Sequence, residues 1–448
     1  MLGAFANLFK IPDLKRKLLI TAGLIAVFRV GAFIPTPGID GAKLAQFFDN
    51  IAKTQGGTLF GMINMFSGGA IQRLTIFALG IMPYISASII LQLLTAVIPS
   101  LERISREGEE GRKKIIQYTR YGTVVLAVIQ SFFIALWLEN PARFQGMQIV
   151  QFPGWWFRIL TVITLTSGTA FIMWLGEQIQ EYGIGNGISL IITAGIVSRI
   201  PAAISQLIQL VSFGAQERAQ IAPFTLLFMG AMLIGVIVAV VAITQGQRKI
   251  PIQYAKRVVG RKIYGGQSTY IPLRVNQAGV IPIIFAQSII LFPATIAGLI
   301  PSAAVQNIAS MLTRETFVYN IIYSLLIIFF CYFYTAITFN PIDISNNMKR
   351  FGGFVPGIRP GKQTAEHLDF IMTRITLPGA VFLAIIAVLP SIISRSLKIP
   401  YLVASFFGGT GLLIIVGVML DTMRQIESHL LVRHYEGFMK KGRIRGRR

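Results

Sequence analysis

The chain has 448 residues, of which 54% are hydrophobic and only 13% charged, and its mean hydropathy is +0.65. This composition excludes an ordinary soluble domain, in which about a quarter of the residues are charged. The 41 Lys and Arg residues outnumber the 18 Asp and Glu residues, giving a net charge of +23 whose meaning depends on where the positive residues lie.

Ten apolar runs are long enough to cross a bilayer, which takes about 20 mostly apolar residues. Arg29 and Arg120 lie within two of them. Hydrocarbon leaves unpaired backbone groups unsatisfied, so we expect helices in all ten runs. The runs predict an all-α membrane protein with about ten transmembrane helices, at residues 18–34, 74–97, 115–138, 154–175, 187–213, 222–244, 277–299, 317–338, 371–392 and 402–423.

Between the first two runs lies an apolar segment, Leu59–Gly69, that is too short to span and has glycines at both ends. Short half-inserted segments persist at membrane depth only where protein or a water-filled cavity shelters them. The segment is therefore either a movable stopper on the outer side or an inert re-entrant segment.

The second and seventh runs nearly repeat each other. Residues 80–91 and 279–290, which are 199 positions apart, share Gly, Pro, Ile, Ala and Ile at five aligned positions. A repeated hydrophobic segment interrupted by Gly and Pro points to a duplicated transport fold with its pathway between the halves. The alternative is chance recurrence among common apolar residues.

Isoleucines at helical spacing predict a dry constriction. Ile81 and Ile85 share one face of the second run, and Ile188 and Ile192 share one face of the fifth, just after Gly183–Gly187. Hydrophobic constrictions can gate a pore by excluding water. The alternative is that these side chains face lipid or neighbouring helices.

Two loops contain basic residues in a pattern that the membrane topology alone does not require. In residues 245–276, β-branched and aromatic residues flank a basic turn, which predicts a hairpin whose tip suits an anionic partner. In residues 339–370, Pro and Gly on both sides of Arg359 predict a rigid turn that presents a guanidinium to carboxylate or phosphate. Solvated loops without a partner are the alternative for both.

The positive residues also predict the topology. Of the 41 Lys and Arg residues, 28 lie in one set of alternate connections and nine in the opposite set. The positive-inside rule then predicts that both termini lie in the cytoplasm, and an even number of spans requires the same.

The sequence offers no sign of enzymatic chemistry or of ion-coupled transport. The spans have no central Asp, Glu or His, and there is no phosphate-binding loop, metal-ligand spacing or nucleophile with a base. We therefore expect no enzyme activity and no cofactor, with energy supplied by a partner or the cargo. A small-solute secondary transporter and a docking scaffold remain as rival interpretations.

Seven motifs closely resemble the bacterial SecY family, the channel subunits of the general protein translocon. They run in order along essentially the whole chain, at Phe28–Pro35, Asn64–Gly69, Phe77–Ser88, Gln117–Gly122, Trp174–Ile179, Gly183–Ser189 and Pro356–Gly361. The resemblance implies two inverted pseudo-symmetric halves, residues 1–213 and 222–430, and a basic cytoplasmic tail at 431–448.

The resemblance also implies roles for individual residues. A pore ring would comprise Ile81, Ile85, Ile188, Ile192, Ile284 and Ile414. The plug would span about 58–69 and include Met62, Asn64, Met65, Phe66, Ser67, Gly68 and Gly69. The second and seventh spans would wall a lateral gate, with Pro83, Ser86, Gln92, Pro282 and Gln287. Docking of SecA or the ribosome would use Lys256, Arg257, Arg261, Lys262 and Arg359.

The function implied is translocation of unfolded secretory polypeptides across the cytoplasmic membrane and lateral insertion of membrane proteins. The implied partners are SecE, SecG, the SecA ATPase, the ribosome with a possible contact to its RNA, the preprotein and anionic lipids. No specific nucleic-acid sequence is expected to be recognised.

Overall fold

A computed structural model describes residues 11–54, 67–144, 146–211, 223–254, 257–259, 262–264, 268–299, 317–397, 399 and 401–441. Helices dominate these residues, and each predicted span contains one. The first half holds α1 Pro12–Gly31, α2 Gly41–Thr54, α3 Met82–Val97, α4 Pro99–Arg106, α5 Glu109–Leu138, α6 Trp155–Tyr182, α7 Gly187–Val197 and α8 Ile200–Val211. The second half holds α9 Pro223–Gln245, α10 Ile281–Leu299, α11 Phe317–Thr338, α12 Pro341–Arg350, α13 Lys362–Leu397, α14 Tyr401–Ala404 and α15 Thr410–Lys441.

Six helical segments in the described part of the chain are long and apolar enough to cross a membrane. α3 and α4 together make a seventh if they are counted as one span, although the chain bends by 101° between them. The fifth predicted span is formed by α7 and α8, which are joined by a short turn at Ser198 and Arg199, and Gly187–Ile208 is one of the six segments. Short strands form between the helices: β1 Gln247–Tyr254, β2 Arg257–Val259, β3 Lys262–Tyr264, β4 Ser268–Arg274 and β5 Gly353–Phe354.

The predicted start of the second span is wrong. We expected a helix from residue 74, but residues 67–81 form a series of turns and α3 begins only at Met82. Leu74 and Gly80 have φ of +39° and +57°, which a right-handed helix does not allow. The turns are nonetheless deeply buried, and a Cβ added to Gly168 of α6 would lie 1.9 Å from the Ile76 carbonyl oxygen.

The sequence repeat is also a repeat of structure. Gly80 and Gly279 have similar positive φ values, +57° and +64°. The helices that follow, α3 and α10, begin at Met82 and Ile281, which preserves the 199-residue offset. These two helices pack against each other, so the duplicated segments meet at the junction of the halves.

Candidate functional site

The six predicted ring isoleucines are brought together in the main apolar core. They come from the start of α3, from α7, from α10 and from α15. Five are buried members of the same cluster and Ile188 is partly buried against it; the five are Ile81, Ile85, Ile192, Ile284 and Ile414. Isoleucine side chains offer no hydrogen bonds, so the core in which the six lie is apolar; that they line a constriction stays a prediction.

Hydrogen bonds from both halves fix the approach to α7, which carries two of these isoleucines. The Ile184 N–H donates to the Thr21 Oγ1 of α1 at 3.0 Å. The Gly185 N–H donates to the Gln425 Oε1 of α15 at 2.8 Å. Because α1 and α15 are far apart in sequence, this loop ties the first half to the last helix.

The glycines of the same loop are needed for close packing. Gly185 has φ of +93°, a conformation that favours glycine. A Cβ added to Gly187 would lie 1.9 Å from the Gly176 carbonyl oxygen of α6. The helix α7 therefore starts in direct backbone contact with α6, as the glycine-rich motif suggests.

The five predicted gate residues lie on α3 and α10, the two helices that pack against each other. Pro83, Ser86, Pro282 and Gln287 are buried, and Gln92 is half-buried with its Nε2 donating to Ser88 Oγ at 3.1 Å. Among the described residues, no side-chain hydrogen bond or ion pair joins the two helices. The side-chain amide of Gln287 has neither its oxygen nor its nitrogen hydrogen-bonded. As far as the described side chains of α3 and α10 show, packing holds the two helices together and their separation breaks no side-chain hydrogen bond.

Part of the predicted plug is described. Met62, Asn64, Met65 and Phe66 lie outside the described residues, whereas Ser67, Gly68 and Gly69 lie inside them. Ser67 is buried, and Gly68 and Gly69 have φ of +65° and +92°. The Gly68 carbonyl accepts hydrogen bonds from Arg29 Nη1 at 3.0 Å and from Ser198 Oγ at 3.4 Å.

The predicted basic hairpin is present. β1 pairs antiparallel with β4, from Gln247 opposite Arg274 to Gln253 opposite Ser268. β2 pairs with β3 nearer the tip. Arg257 and Lys262 lie in these tip strands, whereas Lys256 and Arg261 lie outside the described residues.

The predicted turn at Arg359 is also present, and Arg359 is exposed. Gly357 and Gly361 flank it with φ of +80° and +104°. Thr364 Oγ1 donates to the Arg359 carbonyl at 2.9 Å, and Ser345 Oγ donates to the Gly361 carbonyl at 2.6 Å. The backbone of the turn is therefore fixed while the side chain reaches outwards.

Nothing in the local sequence indicates that the two loops share one sheet. β5, which precedes the Arg359 turn, pairs antiparallel with β1 of the hairpin. Beneath them lies a separate apolar core with Ile250, Ile252 and Leu273 from the hairpin, and Met348, Leu368 and Met372 from α12 and α13. We call the hairpin, β5 and the Arg359 turn the basic module.

Two ion pairs were also missed. Arg120, predicted to lie within a span, forms two hydrogen bonds to Glu177 at 2.8 and 2.9 Å. Glu177 lies near the end of α6. Glu139 accepts from Arg158 Nε at 2.8 Å and from the Gly154 N–H at 2.9 Å.

The loop after α5, in which the sequence shows no pattern, is ordered by aromatic packing. Phe144 packs edge-to-face against Trp137 and Phe47, with ring centroids 4.6 and 4.8 Å apart.

At the start of α2, the Lys43 and Ala42 N–H groups donate to Asp40. The hydrogen bond from Lys43 contributes most to lowering the pKa of that carboxyl.

Comparisons with known proteins agree with this geometry. The family model SecY matches residues 75–423. The protein translocase subunit SecY of Escherichia coli (strain K12) is 50% identical over 439 residues, covering 97% of this chain and 96% of that protein. The protein of the same name from Streptomyces coelicolor is 46% identical over 456 residues, covering 98% and 100%.

Two solved structures share the fold at 18% sequence identity, each covering 92% of both chains. One is described as the structure of a protein conducting channel, with a TM-score of 0.64. The other is Sec61 in the canine ribosome-channel complex from the endoplasmic reticulum, with a TM-score of 0.60. From its family match, its close relatives and its channel fold, we conclude that the chain belongs to the SecY family.

Proposed function

We propose that the chain is a protein-conducting channel that passes unfolded polypeptides across the cytoplasmic membrane and releases membrane segments sideways into it. One observation carries the proposal: isoleucines from both halves share one apolar cluster where the repeated helices α3 and α10 meet. A pore at this junction would be closed by apolar side chains and flanked by two helices whose described side chains make no hydrogen bond to each other.

The ring isoleucines suit a cargo of varied sequence. A channel for unfolded chains must surround many different side chains without binding any of them tightly. Branched apolar side chains form a compliant seal that offers no hydrogen bonds, and they exclude water when the cargo is absent. We assign this role to Ile81, Ile85, Ile188, Ile192, Ile284 and Ile414.

We assign the lateral gate to α3 and α10 and the plug to residues 58–69. Opening the gate would separate a half formed by residues 1–213 from a half formed by residues 222–430. Four of the five gate residues are buried and Gln92 is half-buried, and no side-chain hydrogen bond joins the two helices among their described side chains. A hydrophobic segment in the pore could therefore enter between them without replacing a hydrogen bond.

The basic module is proposed to dock the ribosome and the SecA motor. Sec61 was solved in a ribosome-channel complex, and ribosomal RNA is the kind of anionic surface that Lys and Arg residues bind. Lys256, Arg257, Arg261, Lys262 and Arg359 would make these contacts. The pairing of β1 with β5 supports one continuous docking surface.

SecE, SecG and anionic lipids complete the proposed assembly, with SecE clamping the two halves. Both termini and the basic tail at 431–448 would lie in the cytoplasm.

The small-solute transporter is not supported, because the relatives are protein translocase subunits. The chain performs no chemistry, so SecA or the ribosome would supply the driving force.

Reconstitution tests the proposal. Vesicles containing this chain with SecE and SecG are supplied with SecA, ATP and a secretory preprotein, and protease-protected preprotein is measured. We expect protection that requires both ATP and the chain. Protection equal to that of vesicles lacking the chain contradicts the proposal, and solute uptake without protection would establish a transporter instead.

A further inference from the structure

Arg29 is a charged residue in an apolar helix, and the topology and the pore do not explain it. It lies two residues before the end of α1 and is half-buried. A charged side chain within a membrane span is costly and usually has a function and a partner. None of the ion pairs among the described residues includes Arg29.

The partner of Arg29 is a backbone carbonyl. Its Nη1 donates to the Gly68 oxygen at 3.0 Å. Its guanidinium carbon also lies 4.8 Å from the centroid of the Phe33 ring, within the range of a cation–π interaction. Hydrogen bonds that involve a charged group are roughly twice as strong as neutral ones.

Gly68 is seated against a second helix as well. Ser198, directly after α7, donates from Oγ to the same carbonyl at 3.4 Å. A Cβ added to Gly68 would lie 3.1 Å from the Gly195 Cα of α7. The backbone at Gly68 therefore contacts the end of α1 and the end of α7, and its positive φ leaves glycine as the favoured residue.

We propose that Arg29 is a positioning residue that, together with Ser198, holds the chain at Gly68, the described end of the segment assigned to the plug. The inference rests on the proposed function, because Gly68 lies at the end of the segment assigned to the plug. Moving Gly68 would leave the half-buried guanidinium without its carbonyl acceptor. This contact would therefore resist displacement of the plug until a cargo chain compensates for its loss.

Arg73 provides a matched control. Its guanidinium carbon lies 5.8 Å from the centroid of the same Phe33 ring. Among the described residues it makes no hydrogen bond to Gly68. Replacing it with methionine removes a neighbouring positive charge of the same size but leaves both donors to the Gly68 carbonyl in place.

The test measures the position of residue 67 directly. Ser67 is only 3% exposed, so Ser67→Cys in the complete complex should react slowly with a membrane-impermeant maleimide added from the outer side. The chain's own Cys331 is buried, and labelling of the parent without Ser67→Cys measures its background. We expect Arg29→Met to accelerate labelling of Ser67→Cys about tenfold, as loss of a charged hydrogen bond permits.

Arg29→Lys, which keeps a cationic donor, should restore much of the protection, and Arg73→Met should label at the parent rate. Ser198→Ala removes the second donor and should give a smaller increase, which keeps the test available if Arg29→Met does not accumulate. Equal labelling rates in Arg29→Met, Ser198→Ala and the parent would overturn the inference. Accelerated labelling without any rise in resting ion conductance would support the positioning role but contradict the assignment of residues 58–69 as a plug.

Discussion

Replacing Ile85 and Ile284 together with asparagine should make the resting channel conduct ions. The two isoleucines occupy equivalent positions in the repeated helices α3 and α10, and they are 4% and 6% exposed. Burying an isoleucine side chain contributes about 1.5–3 kcal/mol. An amide buried without a partner costs a further 1–3 kcal/mol or so, judged from mutational data.

Each substitution therefore costs about 2.5–6 kcal/mol if the cluster stays dry. Water that enters the cluster hydrates the amides and removes most of the second contribution. The cheaper outcome is a wet constriction, through which ions can pass. We also expect cargo with defective signal sequences to be exported more readily, because the closed state has lost apolar contacts.

Resting conductance is measured in planar bilayers containing the complete complex without cargo. Ile90→Asn is the matched control, because it makes the same chemical change on α3 at a side chain that is 44% exposed. Ile85→Leu with Ile284→Leu should remain tight, since both stay apolar. Parent-like conductance in a stably assembled Asn double variant, or an equal leak in Ile90→Asn, would refute the ring at these positions.

Three further substitutions test other parts of the structure. Gly187→Ala should prevent normal assembly or lower the thermal unfolding temperature sharply, because its Cβ would lie 1.9 Å from the Gly176 carbonyl. Gly279→Ala is the control, because its Cβ meets no atom within 4 Å. It should lower the free energy of unfolding by only about 1–2 kcal/mol, owing to the positive φ of Gly279. Equal losses in the two variants would show that the backbone contact does not matter. Arg359→Glu should reduce SecA-driven export in reconstituted vesicles while the variant protein accumulates normally in the membrane. Lys362→Glu is the control, at a side chain that is 92% exposed, and it should reduce export much less. Loss of the Arg359→Glu protein from the membrane would indicate a folding role instead. Glu139→Gln should lower the free energy of unfolding, though by less than the 3–5 kcal/mol or so of a fully buried pair, because Arg158 and Glu139 keep 26% and 10% exposure. Glu102→Gln, in an exposed pair with Arg106, should change it by less than about 1 kcal/mol, and equal effects of the two carboxyl substitutions would contradict this ranking.

Features governed by local sequence could be predicted. Long apolar runs become helices because a bilayer leaves the backbone no other partner. The hairpin and the Arg359 turn follow from β-branched residues, Gly and Pro, whose preferences act over a few positions. The Gly-x-x-Pro frame coincides with the starts of α3 and α10 at Met82 and Ile281, although the apolar runs alone placed the two spans from residues 74 and 277.

Features that depend on distant contacts could not be predicted in this way. Residues 74–81 are as apolar as the sequence of a membrane-spanning helix. They nonetheless form buried turns, in which the backbone at Ile76 closely approaches Gly168 of α6. β5 has only two residues and forms because the hairpin offers it an edge. The partners of Arg120 and Glu139 lie 57 and 19 positions away, and nothing in the local sequence identifies them.

A photo-cross-linking scan tests the central claim most directly. A photoreactive residue is placed singly at Ile85, Ile188 and Ile284, and at Ile90 as the control, in membranes carrying a stalled secretory chain. The translocation pore predicts cross-links to the cargo from Ile85, Ile188 and Ile284, and much weaker ones from Ile90. Cross-links from probes at Arg359 and Lys256 alone, with none at the three isoleucines, would make this chain a receptor and place the pore elsewhere.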